Sequence, residues 1–118
     1  MAEITRLGRI EITPTAISSI ASQAVLECYG VVGMASPHLR DGIYELLHRD
    51  NQKRGVSVKI IDQEIIIDLY VILEYGLRIS TVVENIMSTV KFSVEKVLGV
   101  PVAQVNVHVQ GLRVSEPG

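Results

Sequence analysis

The chain has 118 residues, of which 47% are hydrophobic and 20% are charged, and its formal net charge at pH 7 is −2. A chain of this length is expected to form one domain, with a core large enough to fold without disulfide or metal staples. The slightly negative charge argues against a general affinity for nucleic acid, which needs a basic surface.

The sequence also argues against secretion and against membrane insertion. The single cysteine, Cys28, cannot form an intramolecular disulfide, and the N-terminal residues lack the apolar stretch of a signal peptide. No apolar run approaches the roughly 20 residues of a membrane-spanning helix. The longest run, around Ile65 to Leu73, is interrupted by Asp68. We therefore expect a cytoplasmic protein. If it works at a membrane, something else must hold it there.

The first part of the chain predicts a strand, a helix and a strand. Apolar and polar residues alternate from Gly8 to Thr13, which is typical of a strand. Thr13 followed by Pro14 is typical of a helix start, and Gly30 predicts its end. The buried stripe of this helix is predicted to consist of Ile17, Ile20, Ala21, Ala24, Val25 and Cys28.

A short apolar strand from Val31 to Ser36 is predicted next, closed by Pro37. Residues 38–54 are mostly polar, which predicts a variable loop or one or two turns of helix. Residues 115–118 are expected to be a frayed tail. We therefore predict a single domain, 1–118, with its core at about residues 8–114.

The central stretch from Gly55 to Gly76 predicts a hairpin of two long strands. Its short polar connection is Asp62-Gln63-Glu64, as expected when a turn faces water. Because side chains alternate between the faces of a strand, one face is predicted to be the core. That face carries Val56, Val58, Ile60, Ile65, Ile67, Leu69, Val71 and Leu73.

The last part of the chain predicts the longest helix and a final strand. Thr81 and Glu84 have the spacing of a capping box, and Gly99 and Pro101 end the helix. Valines at 105, 107 and 109 alternate with polar residues, which indicates a strand. The whole pattern predicts an α+β fold. It is a two-layer sandwich in the order β-α-β-β-α-β, with a mixed sheet and two long helices on one face.

Two layers leave one sheet face without helices, and that face is predicted to be a contact surface for another copy or for a partner protein. The alternative, that residues 38–54 fold across it, stays open. The interaction residues predicted on this face are Ile61, Ile66, Tyr70, Ile72 and His108.

No catalytic, cofactor or metal site is predicted. Cys28 lies in the buried stripe near the carboxyl end of a helix, where the dipole opposes a thiolate. The three histidines are far apart, and Glu45 with His48 is a weak metal-ligand pair that occurs often by chance. Asp62 and Glu64 are better explained as turn residues than as paired acids.

Nucleic-acid and anion binding are weakly indicated. Gly30-Val31-Val32-Gly33 has the GxxG spacing of an RNA-binding loop, but its central residues are apolar. Arg49, Lys53 and Arg54 form a basic group for anion contact. A solvated loop accounts for these three residues better than an anion site does. An acidic residue among them lowers their net positive charge, and runs of charged residues usually face water.

Three stretches together resemble the alkaline shock protein family of bacterial envelope stress response proteins. They are GRIEITPTAISSIASQAVLECYGVVGMAS, DLYVILEYGLRISTVVENIMSTVKFSVEKVLGV and VNVHVQGL, and the resemblance spans about Gly8 to Val114. Its most specific pieces are Asp68 to Val71, Glu74 to Gly76 and Val105 to Val109. The chain has no long acidic tail, so it is similar to the short member encoded beside a fatty-acid kinase of the dihydroxyacetone-kinase type.

The resemblance implies a non-enzymatic cytoplasmic protein that forms homo-oligomers and has no recognised catalytic residues. Some relatives self-assemble and are held at the inner face of the membrane by a membrane-anchored partner. The alternative implied by other relatives is an accessory regulator of a fatty-acid or lipid metabolic enzyme such as acetyl-CoA carboxylase.

Overall fold

The computed structural model describes residues 2–37, 47 and 54–114. Over these residues the chain is an α+β two-layer sandwich, as predicted. Its elements in chain order are β1 (Ala2–Ile4), β2 (Arg9–Glu11), α1 (Pro14–Leu26), β3 (Val31–Met34), β4 (Val56–Ile61), β5 (Glu64–Glu74), α2 (Ile79–Leu98) and β6 (Val102–Arg113).

The main sheet is built around β5. Strand β6 pairs with it in parallel along almost its whole length, after the crossover through α2. Strands β3 and β4 both pair with it antiparallel, β3 with its second half and β4 with its first half. Because β6 occupies one edge of β5, the other two strands lie end to end along the opposite edge. The sheet is therefore mixed, as predicted.

Strands β3 and β4 together behave as one edge strand with an interruption. The Ala35 N–H donates to the Tyr70 carbonyl (2.8 Å), and Val56 lies opposite Leu69. The chain thus leaves the sheet after Ala35 and rejoins it one β5 position further along. The two ends meet closely, since a Cβ placed on Gly55 would lie 2.8 Å from the Met34 Cβ.

Both helices cover the same face of the sheet, as predicted, and the core lies between the layers. Five alternate side chains of β5 point into the core, and each is at most 1% exposed: Ile65, Ile67, Leu69, Val71 and Leu73. Burying an aliphatic side chain of this size stabilises the fold by about 1.5–3 kcal/mol. The helices meet them with Ile17, Ala21, Ala24, Val25, Val82, Ile86, Val90 and Val94.

Two of the four ends of the helices lie where the sequence predicted them, and the other two do not. The Thr13 side chain accepts from the Ala16 N–H (3.2 Å), and Gly99 ends α2 in the left-handed conformation, both as predicted. Helix α1 ends at Leu26, before the predicted Gly30. The predicted capping box at Thr81 is wrong, because α2 starts two residues earlier and its N-cap, Arg78, makes no side-chain cap bond.

The predicted first strand is not part of the main sheet. Instead β2 pairs with β1 in a separate two-stranded sheet. The turn from Thr5 to Gly8 closes it, because the Thr5 N–H donates to the Gly8 carbonyl (2.6 Å). The predicted order β-α-β-β-α-β is therefore wrong in detail, and the described order is β-β-α-β-β-β-α-β. The strand thus pairs with a local partner five to nine residues away and not with the distant sheet.

Candidate functional site: the open sheet face

The helix-free face of the main sheet carries a group of polar and aromatic side chains, which we call the open face: Asp68, Tyr70, Asn106, His108 and Gln110. Strand β6 lies beside β5, so side chains of both strands share this face. The parallel register places Asp68 opposite Asn106 and Tyr70 opposite His108. Alternation along each strand then directs these side chains to the same side.

Asp68 is the centre of a hydrogen-bond network on this face. Its Oδ1 accepts from Asn106 Nδ2 (3.3 Å) and lies 3.0 Å from His108 Nε2. The Asp68 side chain is 15% exposed, whereas that of His108 is 44% exposed. The mostly covered carboxylate of Asp68 thus fixes the orientation of the His108 imidazole, which is still partly exposed. When His108 is protonated, the same contact is an ion pair.

The Tyr70 ring stacks on the imidazole of His108. The ring centroids are 4.6 Å apart and the planes are 13° from parallel. The imidazole is therefore held on one side by the tyrosine ring and at its edge by Asp68. The result is a stacked pair of rings, oriented by Asp68, at the middle of the open face.

Ile72 is not available for contact, and its predicted place in the interaction patch is wrong. It lies on the open face but is 0% exposed. Its neighbours across the sheet are Gly33 and Gly111. Beside it, the Gln110 side chain reaches across β5 and donates to the Ser36 carbonyl (3.4 Å). The Ile72 side chain is therefore buried in the fold.

The remaining predicted interaction residues occupy the turn end of the same face. Ile61 is 52% exposed and Ile66 is partly buried. Lys59 lies opposite Ile66 in the register. The structure therefore places Ile61, Ile66, Tyr70 and His108 on one face, although nothing in it tests a partner contact there.

The predicted basic group and covering segment fall mostly outside the described residues. Arg49 and Lys53 are among those not described, and Arg54 is exposed just before β4. Within residues 38–53 only Leu47 is described. It is buried in the core cluster, and its N–H donates to the Met34 carbonyl (2.9 Å). Covering of the open face by residues 38–54 therefore stays a prediction.

Enzymes commonly rely on a reactive thiol, a metal site or a cleft lined by ionisable groups, and the described residues bear on each of these. Cys28 is buried, as predicted, and burial raises the pKa of its thiol. Among the same residues no three His, Cys, Asp or Glu side chains are grouped to hold a metal ion. One cleft of about 350 Å³ lies at the base of the N-terminal hairpin, and Glu3 is the one ionisable residue in its lining. His108 is partly exposed on the open face, whereas Asp68 is mostly covered.

No described helix is both long and apolar enough to cross a membrane.

The fold and the open face define a small α+β domain with a preorganised surface and no described catalytic cluster. The model of the alkaline shock protein 23 family, described as having a cell envelope-related function, matches residues 2–114. The chain belongs to this family, as the resemblance predicted.

Relatives in other bacteria agree with the assignment. The uncharacterized protein YloU of Bacillus subtilis is 42% identical over 96% of this chain and 95% of its own length. The uncharacterized protein Spy1614 of Streptococcus pyogenes is 40% identical over 93% of this chain and 92% of its own length. A Streptococcus pyogenes stress response regulator gls24 homolog is 23% identical over 92% of this chain and 61% of its own length.

A comparison with solved structures found no match. The predicted link to a fatty-acid kinase gene stays a prediction.

Sequence reasoning missed the Asp68 network. The residues that form it are 38 and 40 positions apart in the chain. The signal that could have found it is the alternation of Asp68 and Tyr70 with that of Asn106 and His108. It becomes readable only once the parallel register of the two strands is known.

Proposed function

We propose that this protein acts without catalysis, as a cytoplasmic component of the envelope stress response that works through protein–protein contacts on its open face. The family description supports a role at the cell envelope. The printed name of the gls24 homolog, a stress response regulator, supports a role in stress. Both are known of the relatives and are extended to this chain here.

The observation that carries the proposal is the Tyr70–His108 stack. Tyrosine is enriched among the residues that dominate binding energy at protein interfaces. Immobilising side chains on binding costs about 0.5–1.5 kcal/mol each, and a ring already fixed by its neighbours avoids much of this cost. Asp68 and the stacking contact fix both rings before any partner arrives.

The partner that we propose first is a second copy of the chain, with a membrane-anchored protein holding the assembly at the inner face of the membrane. A charged and polar network beside a stacked pair of rings fits a contact that is polar at its rim and packed at its centre. The alternative is a regulator that binds a fatty-acid or lipid metabolic enzyme such as acetyl-CoA carboxylase through the same face.

Self-assembly is tested by sedimentation of the purified chain over a concentration series. The wild type is expected to increase in average mass with concentration. His108→Ala, which removes the stacked pair of rings, is expected to weaken association by about tenfold or more, since hot-spot truncation costs at least ~1–2 kcal/mol. Ser88→Asp, on an exposed position of α2, is the control and should assemble like the wild type.

Capture of partners from the native cytoplasm and membrane fractions then separates the two roles. Recovery of a membrane-anchored protein by the wild type, lost in His108→Ala, supports the envelope role. A stoichiometric complex with a metabolic enzyme and a single-chain mass at high concentration would support the regulator instead. If His108→Ala changes neither assembly nor capture, the open face is not the contact surface.

A further inference from the structure

The N-terminal hairpin, β1 and β2, carries apolar side chains in water. Every residue from 2 to 11 is exposed. Ile4 is 86% exposed, Ile10 is 48% exposed, and Leu7 at the turn is 101% exposed, so the Leu7 side chain lies fully in solvent. Beyond its own pairing, the hairpin touches the described helices and the main sheet only sparsely.

Such a hairpin, which we also call the arm, is expected to gain stability when a partner buries its apolar side chains. A single two-stranded hairpin is at best marginally stable in water. Apolar side chains grouped on one exposed segment are also typical of contact sites. The turn residue Arg6, next to Leu7, adds a positive charge to the tip of the arm. A partner for the tip therefore needs an apolar depression with a negative rim.

The outer surface of the two helices offers such a depression. A groove of about 480 Å³ lies between α1 and α2, and its exposed lining is mostly apolar. Ile20 and Ala24 line it from α1, and Val97, which is 64% exposed, lines it from α2. The exposed carboxylate of Glu27 also lines it. This groove lies on the helix layer, on the opposite side of the domain from the open face.

We propose that the hairpin of one copy docks in the α1–α2 groove of a second copy. Leu7 enters between Ile20 and Val97, and Arg6 pairs with Glu27. The apolar contact supplies the driving force, and the opposite charges fix the orientation and disfavour other partners. This inference rests on the assembly part of the proposed function and names a second surface for it.

The contact is heterologous, because the hairpin and the groove are different surfaces of the chain. After one contact each copy still has a free hairpin or a free groove. Such interfaces therefore produce rings when the rotation closes and open filaments when it does not. A self-complementary contact through the open face alone would stop at a dimer.

A mixing experiment uses this asymmetry. Leu7→Asp places a charge at the tip of the hairpin and leaves the groove intact. Val97→Lys places a charge in the groove and leaves the hairpin intact. Both positions are exposed, so both variants should fold, which circular dichroism and thermal melting verify. At a concentration where the wild type forms large species, each variant alone should lose them. The equimolar mixture should form a new dimer, with the arm of the Val97→Lys chain in the groove of the Leu7→Asp chain.

Charge exchange tests the predicted orientation. Arg6→Glu and Glu27→Arg are each expected to weaken the large species, and the double variant is expected to restore them. A mixture of the two blocking variants that contains no new dimer overturns the docking. So do large species that survive Val97→Lys.

The two proposals fail differently. Loss of assembly in His108→Ala alone, with Leu7→Asp and Val97→Lys like the wild type, overturns only the docking of the arm. A wild type that remains a single chain at every concentration overturns self-assembly itself.

Discussion

Gly55→Ala tests the close approach of the two strands that share one edge of the sheet. Gly55 is buried where the chain rejoins the sheet. A Cβ at this position would lie 2.8 Å from the Met34 Cβ and 2.9 Å from the Ala35 carbonyl oxygen. Non-bonded carbon atoms attract best at about 3.5–4.0 Å. The added methyl group therefore has to displace backbone atoms of the neighbouring strand.

Whether Gly55→Ala raises or lowers the free energy of unfolding shows whether there is space for a methyl group at this position. Where space is available, replacing glycine with alanine stabilises a protein by about 0.4–1 kcal/mol, because it restricts the unfolded chain. Overpacking a well-packed site costs about 1–3 kcal/mol. At Gly55 the overpacking should dominate, and we expect a net loss of about 1–2 kcal/mol.

Urea unfolding followed by circular dichroism measures this loss. With a slope of about 2 kcal/mol/M, the midpoint should decrease by roughly 0.5–1 M. Ala103→Ser, which also adds one heavy atom but at an exposed strand position, should change stability by less than about 0.5 kcal/mol. An unchanged or raised midpoint in Gly55→Ala would refute the close approach of the two strands.

Three further predictions concern the stability of the domain. Ile86→Ala removes a fully buried side chain of α2 and should cost about 2–5 kcal/mol in urea unfolding, whereas Lys91→Ala on the exposed side should cost almost nothing. Thr13→Ala should cost about 1 kcal/mol, and Thr13→Ser should retain the cap of α1. Burial raises the pKa of the Cys28 thiol, so stability should be constant below the ordinary thiol pKa of roughly 8.5 and decrease as the pH rises above it. A Cys28→Ala chain should show no such decrease.

Local features of the fold were predictable because neighbouring residues encode them. The alternation along the central hairpin predicted which face of β5 is buried, and the register confirms it. Thr13 followed by Pro14 predicted the start of α1, since the cap and the first turn lie within a few residues. Gly99 predicted the end of α2 for the same reason.

Features that depend on pairing between distant segments were not predictable in this way. Nothing near Tyr70 indicates that its ring will lie on His108, because the contact needs the parallel register of two strands separated by a helix. The exposure of Ile72 was predicted wrongly, because alternation along one strand does not show which distant residues bury a side chain. The N-terminal strand was assigned to the main sheet because alternation predicts a strand but not its partner.

The interrupted edge of the sheet has a practical consequence for labelling the protein. The chain departs at Ala35 and returns at Val56, beside the place that it left. Lengthening a chain segment whose ends are fixed in this way adds little entropic cost, because closure entropy grows only slowly with length. A fluorescent reporter inserted between residues 38 and 46 should therefore leave the strands in register, provided that Leu47 keeps its place against Met34. Such a reporter would follow the protein in living cells with its N-terminus unmodified.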